Sequence, residues 1–235
     1  MIQETGVADA TAAREALIAR LDEFFDGVFA PLDAWLPDLE RQLERRLREG
    51  PLTGAQLTSL IERPAHAVLE STDRPLYGAG YCAADGVVVE GNPLAWWQGP
   101  ERSLLASSTF GPGQAAIDLQ RLEWYRVPAE RLERHVAGPF VDYLCSNEIT
   151  LTASLPVMLH GRFGGVLCAD VLVAALEELL LPRIAELGDV AIVNSNGRVV
   201  LSADPSYETG DRFTGEGEIA RSDKYPFALV SSPAA

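Results

Sequence analysis

The chain has 235 residues, 47% apolar and 23% charged, the balance of a packed globular protein with one large domain or a domain plus a helical appendage. Nineteen basic against 34 acidic residues leave a net charge of −15. That argues against nucleic acid and against an anionic membrane surface, both of which need clustered Lys and Arg; it is compatible with a cationic ligand, and its plain reading is a solvated acidic surface.

Cys82, Cys145 and Cys168 form no CxxC pair, so they read as small buried hydrophobes in a reducing compartment. The first residues show no basic leader ahead of an apolar run, and no stretch approaches the roughly 20 apolar residues of a membrane span. A cytoplasmic protein is expected. In chain order, residues 11–48 place Leu17, Leu21, Phe24, Val28, Leu32, Trp35, Leu39, Leu43 and Leu47 at helical spacing. Pro31 and Pro37 predict a kink or break near 29–37, and Gly50-Pro51 a stop. This stripe must be buried on its own domain or against a second copy, so a homodimer through the helix is one expectation. Residues 1–50 are therefore set apart as a helix, and 51–235 as the ligand-binding domain.

Residues 53–71 predict a second helix with Thr53 as N-cap and an interruption at Pro64. The period then changes to two. "LYGAGYCAA", "VVVEG", "PLAWWQG" and "RSLLASSTFG" read as strands, with a turn at Asp85-Gly86. A long irregular connection comes next. "EITLTASLPVMLHGRFGGVLCADV" reads as a hairpin turning at His160-Gly161, "LVAALEELLLPRIAEL" as a helix, and "DVAIVNSNGRVVLS" as a hairpin with a type I′ turn at Asn196-Gly197. The tail ends in a weak strand, "FALVSS". Short turns between neighbouring strands imply an antiparallel sheet, and helices before and between them an α+β fold.

Candidate chemistry is sparse. There is no GxSxG, the histidines His66, His135 and His160 are scattered, and no metal-ligand spacing occurs, so neither enzyme nor cofactor is expected. The long connection carries Trp124, Tyr125, Arg126, Asp142 and Tyr143, and Asp170 closes an apolar strand. Asp170 could cap the next helix, Asp142 a turn, and the Trp-Tyr pair could simply be core. Together, two carboxylates and aromatic faces form a receptor for an organic cation. Trp96 and Trp97 add rings, but on a strand only one of the two can face a pocket.

The motifs "WY", "GPFVD" and "GGVLCAD", within a region of roughly 70–205 behind a long helix, resemble the Cache domains, PAS-like extracytoplasmic sensor modules of bacterial chemoreceptors and kinases. The resemblance implies a central antiparallel sheet flanked by helices, a ligand pocket on one face, and no catalysis. It places Trp124, Tyr125, Asp142 and Asp170 around a ligand amino group. Where amino-acid-binding members carry Arg before the Trp and Tyr further upstream, this chain has Leu122 and Ile117, and Phe140 stands where a Tyr is usual. The expected protein is a stand-alone binding module for an amine-bearing metabolite, with output through an unidentified partner or oligomer state. The alternatives are a carboxylate binder using Arg126 or Arg121, and a structural or interaction protein with a vestigial pocket.

Overall fold

The computed structural model describes residues 2–71, 74–105, 118–141, 148–215 and 217–231, with side chains from residue 11 onward. Helix α1 runs unbroken over Ile2–Glu49 with Pro31 and Pro37 inside it, so the chain does not break there. A proline in a helix interior costs about 3 kcal/mol. Against that, Leu17, Leu21, Phe25, Val28, Leu32, Leu39 and Leu43 are all buried, and each such side chain contributes about 1.5–3 kcal/mol. The apolar stripe therefore outweighs two prolines. It is spent on the chain's own sheets, which removes the argument for a dimer based on an uncovered stripe.

A short strand β1 (Leu52–Thr53) leads into α2 (Gly54–Glu70), where Thr53 forms the expected N-cap in a capping box with Gln56. Pro64 lies within α2 without breaking it. Strands β2 (Leu76–Ala83), β3 (Val88–Glu90), β4 (Leu94–Gln98) and β5 (Ser103–Leu104) come next. β3 pairs in parallel with β1 rather than folding back on β2. The described part of "RSLLASSTFG" is strand only at β5, and residues 106–117 lie outside the described residues.

The connection expected to be irregular contains a 3-10 turn at Leu119–Arg121, helix α3 (Glu123–Arg131) and strand β6 (His135–Val141). Pro128 inside α3 and Gly138-Pro139 inside β6 hide both elements from pattern reading. The long hairpin is β7 (Ile149–Leu159) and β8 (Arg162–Leu172), with His160 and Gly161 at positive φ in its turn. Helix α4 (Val173–Glu186) then leads to β9 (Val190–Asn194), β10 (Val199–Ser202), β11 (Glu218–Arg221) and β12 (Phe227–Ser231).

The antiparallel strands divide into two sheets. The first has order β5-β4-β2-β8-β7-β6 and the second β10-β9-β12-β11. The weak tail strand is thus an inner strand, with Phe227 and Leu229 buried. The β9–β10 turn is not type I′. Gly197 alone of the Asn196-Gly197 pair has positive φ, and Gly197 N–H donates to Asn194 O, the arrangement of a type I turn closed by a glycine bulge.

Helix α1 spans both sheets. Phe25 stacks on Phe227 of β12, while Glu40 and Glu44 accept from the backbone N–H of Met158 and His160 at the far end of the first sheet. Lys224, the lone lysine, lies 2.6 Å from Asp26 of α1, and Tyr225 donates to the same carboxylate. The Lys224 hydrogen bond holds the Asp26 carboxyl below its usual range. No helix among the described residues is long and apolar enough to cross a membrane.

Cys82 and Cys168 are buried as expected; Cys145 lies outside the described residues. Burial pushes the Cys82 thiol from its ordinary value of 9.0 up to about 12, and raises that of Cys168 further from its normal range. The native thiol keeps its proton where the unfolded chain releases it, so stability contributed by this group is full below pH 9 and falls as pH rises towards 12. Urea melts should lose about 1.4 kcal/mol per pH unit in that window for this thiol, and Cys82→Ala should flatten the slope. A melt that is independent of pH between about 8 and 11 would contradict the burial.

Candidate functional site

The first sheet has two differently used faces. One, with Ala79, Tyr81, Trp97 and Leu151, joins α1, α2 and α4 in the main core. The other carries Cys82, Leu94, Trp96 and Cys168, and α3 lies over it. Strand alternation sends Trp97 against His66 of α2 and Trp96 towards Trp124 of α3, with ring centroids 5.7 and 5.8 Å apart respectively.

The register lines up one rung across this second face. Gln98 stands opposite Gly78, Gly78 opposite Asp170, Asp170 opposite Thr152, and Thr152 opposite Ala137. Gly78 puts no side chain into the middle of the rung. A Cβ there would stand 2.9 Å from Trp96 Nε1 and 3.0 Å from Asp170 Oδ2. Trp96 and Asp170 thus close over Gly78, and beside them lies a cavity of about 560 Å³, within the range of small-molecule sites. Its floor is Trp96, Gln98, Asp170, Thr150 and Thr152. Its walls are Leu94, Leu105, Leu122, Trp124, Pro139 and Phe140, and its rim is Glu123, Asn194, Asn196 and Arg198.

Asp170 is only 7% exposed. It does not cap α4, whose N-cap is Leu172 with no side-chain cap bond. Thr152 Oγ1 donates to Asp170 Oδ1 at 2.6 Å. That bond orients the carboxylate.

Among solved structures, the ligand-binding domain of the Campylobacter jejuni chemoreceptor Tlp3 in complex with L-norvaline superposes over 97% of this chain and 91% of that one, with a TM-score of 0.65 and 12% identity. The fold is that of a chemoreceptor sensory domain. The Tlp3 sensory domain with isoleucine bound aligns over 99% of this chain and 94% of that one, at TM-score 0.61 and 11% identity. The extracellular domain soHK1S-Z6, ascribed to a histidine kinase, aligns over 87% and 73%, at 0.55 and 12%. No protein-family profile and no curated protein matches the chain.

Within this sensory-domain fold the residues singled out from sequence part company. Asp170, Trp96, Trp124 and Phe140 meet at the cavity. Asp142 and Tyr143 lie outside the described residues. Tyr125 turns away from the cavity: it is buried edge-on against Phe163, 5.6 Å between centroids. Adjacent residues on helix α3 are about 100° apart, and of this pair Trp124 lines the cavity. Arg126, one residue further round, is 48% exposed and pairs with Glu130. Arg121 is 86% exposed and pairs with Asp118.

Sequence reading missed the rim. Glu123 opens α3, accepts from Asn196 Nδ2 at 3.1 Å and lies 2.9 Å from His135 Nε2. Asn194 ends β9 and donates through Nδ2 to Gly138 O of β6 at 2.7 Å, while its Oδ1 accepts from the N–H groups of Asn196 and Arg198. The β9–β10 turn of the second sheet is thereby latched onto the cavity mouth of the first. Thr150 and Thr152 had a signal, their alternation with apolar neighbours. Asn194 and Glu123 had none, because their partners are far off in sequence.

Asn194→Ala would strip a buried carbonyl of its donor and two turn N–H groups of their acceptor. It should cost about 1–3 kcal/mol or more of stability in urea unfolding. Asn194→Asp keeps the turn acceptor but not the donor, and should recover only part of the loss.

Proposed function

We propose that this domain is a non-enzymatic sensor module that binds a small amine-bearing metabolite in the cavity between the first sheet and α3. The observation that carries the reading is Asp170, a buried carboxylate held by Thr152 at the floor of an otherwise largely apolar chamber. An ammonium group set there gains charge-assisted hydrogen bonds. Trp96 and Trp124 offer ring faces worth about 0.5–2 kcal/mol each to a cation. Leu94, Leu105, Leu122 and Phe140 would take the apolar body of the ligand.

The likeness to Tlp3 domains holding isoleucine and L-norvaline supports a ligand of that size. Binding through Arg126 or Arg121 is disfavoured, because both side chains are exposed and paired with neighbouring acids.

The test is a thermal-shift panel of amines, amino acids and organic acids. A ligand present at a hundred times its Kd and bound only by the native state stabilises by about 2.7 kcal/mol. The wild type should respond to ammonium-bearing compounds and not to plain organic acids. Asp170→Asn keeps the shape but not the charge, and should abolish the response. A cavity silent to the whole panel would favour the vestigial-pocket alternative, and an unchanged response in Asp170→Asn would overturn the site.

A further inference from the structure

One carboxylate bridges the two sheets at the rim of the cavity. Glu123 Oε1 lies 2.9 Å from His135 Nε2, on β6 of the first sheet. Glu123 Oε2 accepts from Asn196 Nδ2, on the β9–β10 turn of the second sheet, at 3.1 Å. Glu123 and Asn196 both line the cavity. The turn is braced as one piece with its sheet: Asn194 Oδ1 accepts from the N–H groups of Asn196 and Arg198, and Phe213 N–H donates to Gly197 O.

Helix α3 is held unequally at its two ends. Its nine residues are too few for a helix that stands alone in water, and its N-cap, Leu122, makes no side-chain cap bond. Just past its C-terminal end, Arg134 pairs with Asp33 of α1 at 3.1 Å and lies over the Phe29 ring, 4.9 Å from its centroid. Leu132, at positive φ, closes the helix between them. At the N-terminal end the tie to the second sheet is the Asn196 bond, which is exposed, so water competes for both partners and the bond breaks at small cost. We infer that the β9–β10 turn is a releasable clasp on the cavity: Asn196 holds Glu123, and with it Trp124 and the first turn of α3, at the mouth, and the cavity opens at that end when the bond breaks. Arg134 keeps the other end of α3 in place, so the helix lifts about Leu132. The clasp acts whichever compound the cavity holds. By linkage the coupling runs both ways: an occupant that fixes Trp124 tightens the junction between the sheets.

Amide hydrogen exchange and acrylamide quenching of tryptophan fluorescence test it. All four tryptophans are 8% exposed or less, so new access for acrylamide marks an opening. Asn196 is itself exposed, so changing it leaves the core untouched. Asn196→Ala should speed exchange over residues 123–131 about tenfold, the low end for a hydrogen bond to a charged group. It should also raise the quenching constant and leave the β7–β8 hairpin as protected as before. Asn196→Asp sets a second carboxylate against Glu123 and should open α3 further than alanine does. In a Glu123→Ala background, Asn196→Ala should add nothing, because the partner is already gone.

Unchanged exchange over 123–131 in Asn196→Ala overturns the clasp. So does an equal acceleration in the β7–β8 hairpin, which would mark a general loss of stability. An aspartate no more open than alanine, or a full further effect of Asn196→Ala beside Glu123→Ala, overturns it as well. None of these results bears on which compound Asp170 holds, so the clasp and the amine-binding function fail separately.

Discussion

The site depends on the pairing register of β8 between β2 and β7. That register sets Asp170 opposite a glycine on one side and a threonine on the other. The glycine lets the carboxylate and the Trp96 indole lean over its backbone, and the threonine supplies a hydroxyl to the carboxylate. A slip of one residue would turn Asp170 from the cavity face into the main core among α1, α2 and α4, where burying an ionised carboxylate costs several kcal/mol. The cavity is thus a consequence of sheet geometry: side chains of period two, a rung of polar side chains around one glycine, and a helix laid across that face.

Helix α1 gives that sheet its second neighbour. Its middle packs on the second sheet through Phe25 and Phe29 against Tyr225 and Phe227, and its C-terminal part ties to the β7–β8 turn through Glu40 and Glu44. At the opposite face the β9–β10 turn reaches the cavity mouth through Asn194 and Asn196. The two sheets are therefore joined twice, once by an apolar spine and once by a short chain of hydrogen bonds at the rim. The second junction includes Glu123, adjacent to Trp124 in the wall, so the rim and the cavity share one helical turn of α3.

Where sequence reading failed, it failed for identifiable reasons. Prolines at 31, 37 and 64 read as interruptions, yet each sits inside a helix because the buried face outweighs one missing N–H. Strand β6 was invisible because Gly138-Pro139 interrupts its pattern and its register shifts between Ala137 and Phe140. Tyr125 and Arg126 were grouped with Trp124 by adjacency, but helical geometry spreads neighbours around the axis and leaves only Trp124 facing the chamber.

The sequence by itself determined the α+β class, the amphipathic face of α1, the capped start of α2, the long hairpin and the alternation that sends Trp96 and Trp97 to opposite faces. These arise from local periodicity and turn chemistry, which act over a few residues. Only the tertiary structure decided that the strands form two sheets, that β3 pairs with β1, and that Gly78, Trp96, Thr152 and Asp170 meet at one place. Those depend on strand register and on contacts between residues tens of positions apart. Such contacts are set by the packing of whole elements, and no short window of sequence contains them.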